Sequence, residues 1–299
     1  KRPSPPTTNW EEETPKMRTL DVNAAIDRSP FGRFQWMVVA LCGILLIVDG
    51  YDVFVAGTVL PTMIKEWGLT KPQAGALQAW ALFGMMFGAL VLGSLADRIG
   101  RKKGVAISFA LFTTATVLTG FAETPEQFKV FRFIAGLGCG GLMPNAVALM
   151  NEYAPKRLRG TMVAIMFSGY SVGGMVAAAL GIGLIPSFGW QPMFFVAALP
   201  LALLPLILWR LPESLGFMIR QGRQDEARRI LALIDPTVPA DAQLVYTESK
   251  GKSASVAELF RHDRALRTVM LWVSFFCCLL LVYLLSSWLP KLLQEVGYA

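Results

Sequence analysis

Residues 93–103 read GSLADRIGRKK, a short basic loop that separates two long apolar segments. Gly93 allows a neighbouring helix to approach closely, and Gly100 permits a tight turn after the preceding helix. Asp97 can accept hydrogen bonds at that helix end, while Arg101 can pair with acidic residues at the ends of other helices. A loop of this charge between two membrane-spanning helices is expected on the cytoplasmic side of the membrane.

Seven apolar segments run through the chain, and each is about as long as a helix that crosses a bilayer, roughly 20 residues. Only 16% of the residues are charged, against roughly 25% in a typical soluble domain. These features predict an all-α, polytopic membrane protein. The predicted spans are 34–60, 74–96, 104–122, 128–150, 161–185, 191–209 and 268–289.

The net charge of +7 is concentrated in alternate loops, a distribution that argues against a nucleic-acid partner. Arg98 and Arg101 lie before the third span, and Lys156 and Arg159 lie before the fifth, whereas the loops between carry few basic residues. This alternation follows the positive-inside rule. It predicts that the N-terminus and the long segment 211–267 are cytoplasmic.

Six spans, a long link and a seventh span are the arrangement expected for part of a two-halved secondary transporter. The chain is expected to be partial, because a second half needs further spans. Apolar residues recur with helical spacing in 213–235 and 256–260, which predicts amphipathic link helices, whereas the polar residues 1–16 are predicted to be disordered. The predicted domains are a cytoplasmic N-terminal segment (1–33), a six-helix transmembrane bundle (34–210), a cytoplasmic link (211–267) and the first helix of a second bundle (268–299).

Two carboxylates, Asp49 and Asp52, lie within the otherwise uncharged first span, where each charge costs a few kcal/mol. At a spacing of i, i+3 they share one face of the helix. Two neighbouring carboxylates in a low dielectric cannot both ionise cheaply, so one of them is expected to hold a proton. The pair is therefore predicted to carry protons, with a helix–helix hydrogen bond as the alternative. His262, the single histidine, lies in the link, so proton coupling must use carboxylates.

Arg132 lies near the outer end of the fourth span, and its planar guanidinium group suits a carboxylate. At 1.5 Å per residue, Asp52 lies about 27 Å beyond the start of its span. Arg132 lies about 6 Å inside the outer face of a hydrocarbon core about 30 Å thick. The two side chains therefore lie at comparable depth, which predicts an ion pair that an incoming anion breaks. The alternative is that Arg132 extends to the outer interface.

Several short motifs resemble those of known transporters. The GSLADRIGRKK loop resembles the signature loop of the major facilitator superfamily. Four motifs resemble those of the aromatic acid:proton symporter family: DGYD at 49–52, ALFGMMFG at 81–88, RFIAGLG at 132–138 and MPN at 143–145. Three further motifs resemble those of the benzoate-transporter branch of that family: MFSGYS at 166–171, PESL at 212–215 and SWLP at 287–290.

The resemblance implies a major facilitator fold and import of benzoate or a related aromatic carboxylate with protons, across a bacterial inner membrane, by alternating access. It implies that Asp49 and Asp52 couple protons. Arg132 is expected to attract the substrate carboxylate, with a polar lining from Asn145 and Tyr170. The walls that hold the aromatic ring are expected to include Tyr51 and Trp288.

The resemblance also implies that the loop of Gly93, Asp97, Arg98, Gly100 and Arg101 is a gate. In this role Asp97 holds the cytoplasmic helix ends together in the outward-open state and releases them when the transporter opens inward.

Other functions stay open as alternatives, notably an organic-anion or sugar transporter, or a proton-antiporting exporter, of the same superfamily. Residues 169–174 lack the Gly-Pro pair that exporters often carry in this span, which favours import. A membrane-embedded enzyme is disfavoured because the spans contain no metal-ligand or Ser–His spacing, and a seven-span receptor is disfavoured by the cytoplasmic N-terminus. No cofactor and no metal are expected, and the four cysteines are interpreted as buried apolar residues.

Overall fold

The computed structural model describes residues 19–239, 242–246, 260 and 264–297. The predictions for residues 1–16, for His262 and for residues 256–259 lie outside these ranges. In chain order the elements are β1 (Thr19–Asp21), α1 (Val22–Arg28), α2 (Arg33–Trp67), α3 (Lys71–Ile99), α4 (Arg101–Thr119), α5 (Pro125–Tyr153), α6 (Arg159–Phe188), α7 (Gln191–Phe195), α8 (Ala198–Leu201), α9 (Leu204–Arg210), α10 (Leu215–Arg220), α11 (Gln224–Ile234), β2 (Gln243–Val245) and α12 (Arg264–Glu295).

Six helical segments in the described part of the chain are long and apolar enough to cross a membrane. They are α2, α3, α5, α6, the broken segment Gln191–Arg210 and the portion Arg264–Leu285 of α12. Helix α4 coincides with the third predicted span but is not among the six. It begins with Arg101, Lys102 and Lys103, and these three cations lower its mean hydropathy.

The sixth predicted span, 191–209, is a chain of three short helices, α7 to α9, instead of one continuous helix. Pro192, Pro200 and Pro205 lie in these helices and supply no backbone N–H to a helical ladder. The two turns between them close with i→i+3 hydrogen bonds, such as Leu203 N to Pro200 O at 2.8 Å. The prolines therefore account for the interruptions in this span.

Helices α2 and α5 lie at the centre of the described bundle. Inside the structure, 67% of the membrane-crossing window of α2 and 61% of that of α5 are buried, against 17% for α3 and 22% for α6. The charged residues of the predicted spans, Asp49 and Asp52 on α2 and Lys129 and Arg132 on α5, all lie on these two central helices. The bundle therefore keeps its intramembrane charges away from the apolar faces of the outer helices.

Two helix pairs approach so closely that their backbones touch. A Cβ atom built at Gly50 would lie 2.2 Å from the backbone oxygen of Tyr170, across the α2–α6 interface. One built at Gly136 would lie 2.1 Å from the backbone oxygen of Ala81, across the α3–α5 interface. Glycine is therefore required at both positions, as expected for helices that pack through small residues.

The link and the N-terminal segment pack together beside the bundle. Strands β1 and β2 pair in parallel, with Leu20 opposite Leu244, a pairing that the sequence did not predict. The link helix predicted over 213–235 is two helices, α10 and α11, because Gly222 between them has a φ of 73° and ends the first.

An ion pair ties helix α1 to the loop between α5 and α6. The Oδ1 atom of Asp27 accepts a hydrogen bond from the backbone N–H of Lys156 at 2.8 Å, and its Oδ2 atom lies 3.1 Å from Nζ of Lys156. Partial burial raises the pKa of Asp27, but the two contacts with Lys156 outweigh burial and hold it below its ordinary value.

Candidate substrate and proton site

A buried ion pair joins the two central helices, between the two residues that the sequence predicted to pair. Arg132 Nη1 on α5 donates to Asp52 Oδ1 on α2 at 2.8 Å, and Nη2 donates to Oδ2 at 3.1 Å and to the backbone oxygen of Asp52 at 3.2 Å. Both residues are only 2% exposed. Arg132 therefore faces the interior of the bundle and does not extend to the outer interface.

Two uncharged side chains complete the contacts of Asp52. Thr116 on α4 donates its hydroxyl to Asp52 Oδ1, and Cys139 on α5 donates its thiol to Oδ2 at 3.6 Å. Both donors are buried. With the guanidinium group they give the Asp52 carboxylate hydrogen-bond donors from both α4 and α5.

Asp49 has a contrasting environment one helical turn away. It is fully buried, and neither of its carboxylate oxygens has a hydrogen-bond partner of good geometry in the described part of the chain. An ionised carboxylate without donors is strongly disfavoured in such a site, so Asp49 is suited to hold a proton. The i, i+3 pair therefore contains one carboxylate held by a cation and one placed to be neutral.

Helix α12 reaches this site through Tyr283. The side chains of Tyr283 and Tyr170 are hydrogen bonded to each other, and both tyrosines interact electrostatically with Asp49. Tyr170 also packs edge-on against Phe54, with 5.6 Å between the ring centroids. The structure thus places predicted residue Tyr170 beside the acidic pair, and it adds Tyr283 from the helix that follows the link.

A small polar cavity at the ion pair shares part of its wall with a larger apolar cleft. The cavity, about 30 Å³, is lined by Asp52, Arg132, Cys139 and Tyr283 together with apolar residues of α3. The cleft, about 390 Å³, lies between α3 and α12 and contains predicted residue Trp288 in its wall. Gln78, Leu82 and Tyr283 line both spaces. The arrangement offers a cation to an anionic group and an apolar wall to a ring.

Two predicted substrate residues point elsewhere in the described structure. The hydroxyl of Tyr51 donates to the backbone oxygen of Met193 at 2.5 Å, so the ring packs towards α7 and does not line the cavity. The amide of Asn145 donates to the backbone oxygen of Gly141 at 2.7 Å within α5. The substrate-binding roles of Tyr51 and Asn145 stay predictions, and their observed contacts are structural.

Part of the predicted gating loop is exposed in the structure. Asp97 is exposed and makes no hydrogen bond or ion pair with any residue that the structure describes, and a Cβ built at Gly93 meets nothing within 4 Å. Arg98 is exposed as well. Gly100 has a φ of 102°, which favours glycine, and its α-carbon lies against the carboxylate of Glu213. The gate stays a prediction.

Arg101, by contrast, pairs with an acidic helix end as expected from its position. Arg101 Nη1 lies 3.2 Å from Glu152 Oε1 near the end of α5, and the hydroxyl of Ser214 donates to the same oxygen at 2.9 Å. Glu213 accepts the backbone N–H of Lys102 at 3.1 Å, which places its charge at the N-terminus of α4. These contacts join the loop to the PESL motif at 212–215.

Sequence reasoning missed Thr116, Cys139, Tyr283, Glu152 and Glu213 as members of these clusters. Glu152 and Glu213 had a signal, since each is an acidic residue beside a span end. Nothing in the sequence marked Thr116 and Cys139 as site residues, because uncharged residues within an apolar helix are common. No group of three or more metal-binding side chains occurs among the described residues.

Known proteins similar to this chain are transporters. The chain is 43% identical over 94% of its length to the benzoate transport protein of Acinetobacter baylyi, and covers 62% of that protein. It is 37% identical over 93% of its length to the 4-hydroxybenzoate transporter PcaK of the same organism, and covers 63% of it. The chain thus spans less than two thirds of the length of either relative.

Solved structures support the fold. A bacterial homologue of the human lysosomal transporter Spinster, in an inward-facing and unoccupied conformation, aligns with a TM-score of 0.64 and 20% sequence identity. The alignment covers 90% of this chain and 57% of that one. The Major Facilitator Superfamily model matches residues 42–299. These findings confirm the predicted superfamily and the multi-pass membrane character, and the chain belongs to the Major Facilitator Superfamily.

Proposed function

We propose that the full-length protein imports benzoate or a closely related aromatic carboxylate together with protons across the bacterial inner membrane. The observation that carries the proposal is the buried Asp52–Arg132 pair, with the unpartnered Asp49 one turn away and an apolar cleft beside it. The benzoate and 4-hydroxybenzoate transporters among its relatives supply the substrate class.

Carboxylate recognition follows from the bidentate geometry at Arg132. Its two terminal nitrogens already bind one carboxylate, that of Asp52, at 2.8 and 3.1 Å. A substrate carboxylate can take over both donors, so the guanidinium group keeps a counter-ion throughout. That exchange matters because leaving one member of a buried ion pair without its partner costs about 3–5 kcal/mol.

Proton coupling follows from the same exchange. Once the substrate holds Arg132, Asp52 is a buried carboxylate without its counter-charge, and it becomes favourable for Asp52 to bind a proton. One proton cancels the charge of the imported anion, which otherwise works against about 2.3 kcal/mol per 100 mV of membrane potential. Substrate binding and proton binding are therefore linked at one residue.

The aromatic ring of the substrate is expected in the cleft between α3 and α12. Its wall is apolar apart from Gln78 and Tyr283, and Trp288 lies half-buried at its edge. Tyr283 lines both this cleft and the polar cavity, so the two spaces are adjacent. A molecule whose carboxylate is joined to an aromatic ring could place the carboxylate at Arg132 and the ring in the cleft.

The direction of the chain in the membrane is proposed from its charges. Basic residues gather at the end of the bundle that carries the gating loop, including Arg98, Arg101, Lys156 and Arg159. The positive-inside rule assigns this end to the cytoplasm, together with the N-terminus and the link. Alternating access would then open the ion pair to each side of the membrane in turn.

The test is uptake of radiolabelled benzoate by cells that express the full-length protein, with and without a protonophore. We expect accumulation above that of cells with an empty vector, and we expect the protonophore to abolish it. Xylose and benzyl alcohol serve as controls, since neither carries a carboxylate and neither should compete. Benzoate uptake equal to that of the empty-vector cells would overturn the proposed substrate, and accumulation unaffected by the protonophore would overturn the proton coupling.

A further inference from the structure

The thiol of Cys139 lies between the two carboxylates of α2. Its Sγ atom is 3.6 Å from Asp52 Oδ2, and the thiol also interacts with the carboxyl group of Asp49. Cys139 is 1% exposed, and it follows Arg132 by seven residues, about two helical turns, so both side chains lie on the same face of α5. The ion pair alone does not require a thiol at this point.

The two carboxylates differ in what they offer the thiol. Asp52 accepts hydrogen bonds from Arg132 and Thr116, and its Oδ2 atom accepts the S–H group. Neither oxygen of Asp49 has a hydrogen-bond partner of good geometry among the described residues, which favours its protonated form, and a protonated Asp49 can donate its O–H to the sulfur. Sulfur is both a weak donor and a weak acceptor, so one thiol can serve both neighbours at once.

We propose that Cys139 relays protons between Asp52 and Asp49; this inference rests on the proposed proton-coupled transport. After substrate and a proton have entered, Asp52 is protonated and Asp49 releases its own proton towards the cytoplasmic end, to which Asp49 lies one turn closer. The O–H bond of Asp52 then breaks as its proton joins sulfur, while the original S–H bond breaks and its proton forms an O–H bond on Asp49.

The thiol is unchanged by this step, and the negative charge moves from Asp49 to Asp52. Asp52 can then pair again with Arg132 as the substrate leaves. In the structure the thiol donates to Asp52, and neither oxygen of Asp49 has a hydrogen-bond partner of good geometry among the described residues. This arrangement corresponds to the end state of the relay.

The other ionisable groups near Asp49 are bound to partners other than Asp49. Arg132 on α5 is bound to Asp52, and Tyr170 on α6 is hydrogen bonded to Tyr283 on α12. No charged residue of α3 or α4 lines the polar cavity. Cys139 differs from these groups because its thiol donates to Asp52 and also interacts with Asp49.

The experiment uses the full-length protein in liposomes and measures two rates. Accumulation driven by an imposed proton gradient requires proton release, whereas counterflow, the exchange of external labelled benzoate for internal unlabelled benzoate, does not. Cys139→Ser keeps a group that can donate and accept, and Cys139→Val fills the site with an apolar side chain. We expect the serine variant to keep the ratio of accumulation to counterflow within about threefold of wild type, and the valine variant to lower that ratio at least tenfold.

Cys42 supplies the matched control, because it is also buried and its Sγ lies 4.0 Å from the backbone oxygen of Ala146, away from the carboxylates. Cys42→Val should leave the ratio of accumulation to counterflow unchanged. If Cys139→Val does not fold, Cys139→Ala is compared with Cys139→Ser, and a lower ratio is expected for alanine. The relay would be overturned if Cys139→Ser and the valine or alanine variant showed the same ratio of accumulation to counterflow. It would also be overturned if accumulation and counterflow fell in parallel. A wild-type protein that does not accumulate benzoate would instead overturn the proposed function.

Discussion

Asp52 and Arg132 lie 80 residues apart in the chain and meet in a bidentate ion pair with donor–acceptor distances of 2.8 and 3.1 Å. Each is 2% exposed, and Asp52 also accepts hydrogen bonds from Thr116 and Cys139. Helices α2, α4 and α5 therefore share one carboxylate. A ligand that took over Arg132 would change the contacts of this carboxylate, and binding would then be linked to the packing of the three helices.

The two carboxylates are expected to respond differently to neutralisation. Asp49→Asn should abolish proton-driven accumulation of benzoate and preserve counterflow, because asparagine resembles a neutral carboxyl group but releases no proton. Asp52→Asn should also lower thermal stability, because the buried guanidinium group loses its counter-ion at a cost of about 3–5 kcal/mol. Both rates and the unfolding temperature are measured on purified full-length protein. Normal accumulation by both variants would remove the proton-coupling role.

Arg132→Lys is expected to raise the apparent KM for benzoate at least tenfold. Lysine keeps the charge but cannot make two parallel hydrogen bonds to one carboxylate. Arg210→Lys is the control, since Arg210 stacks on the exposed ring of Trp209, 4.3 Å from its centroid, outside the site. Initial uptake rates over a range of benzoate concentrations give the KM. An unchanged KM in Arg132→Ala would show that the arginine does not bind substrate.

Asp97→Asn should slow transport and leave benzoate affinity within about twofold of wild type. The reason is its position: Asp97 is exposed near the end of α3 and touches no part of the Asp52–Arg132 site. Affinity is measured by equilibrium binding and transport by uptake on the same preparation. Glu152→Gln provides a comparison, because it removes a charge that pairs with Arg101 at 3.2 Å. A tenfold loss of affinity in folded Asp97→Asn would contradict a purely gating role.

Gly136→Ala is expected to destabilise the protein by about 1–3 kcal/mol, the usual cost of overpacking. The added methyl group would lie 2.1 Å from the backbone oxygen of Ala81, so α3 and α5 must separate. Gly183→Ala is the control, since nothing lies within 4 Å of a Cβ at that position in α6. Thermal unfolding in detergent compares the two variants. Equal unfolding temperatures would show that the α3–α5 contact is not tightly packed.

A protein made of residues 1–299 alone is expected neither to accumulate benzoate nor to remain a stable monomer. None of the membrane-crossing window of α12 is buried in the structure, and alternating access requires two bundles that move about a shared site. The test is reconstitution in liposomes with an imposed proton gradient, together with size-exclusion chromatography in detergent. Accumulation above that of protein-free liposomes would contradict the two-bundle arrangement.

The sequence alone predicted that the chain is built from apolar helices long enough to cross a membrane, and it predicted the Asp52–Arg132 pair. An apolar run of about 20 residues has few structures open to it in a bilayer other than a helix, so hydropathy is sufficient. The constant rise of 1.5 Å per residue then converts position in a span into depth. Asp52 and Arg132 could be paired because the rarity of charge in these spans leaves few partners for either.

Tertiary structure decided which way each helix faces, and therefore which uncharged side chains enter the site. Rotating a helix about its axis leaves depth unchanged but turns a residue towards a different neighbour, so hydropathy cannot separate Cys139 at the carboxylates from Asn145 within its own helix. The close glycine contacts between α2 and α6 and between α3 and α5 set these rotations. The pairing of β1 with β2 also depended on tertiary structure, because two three-residue strands more than 200 residues apart carry almost no local signal.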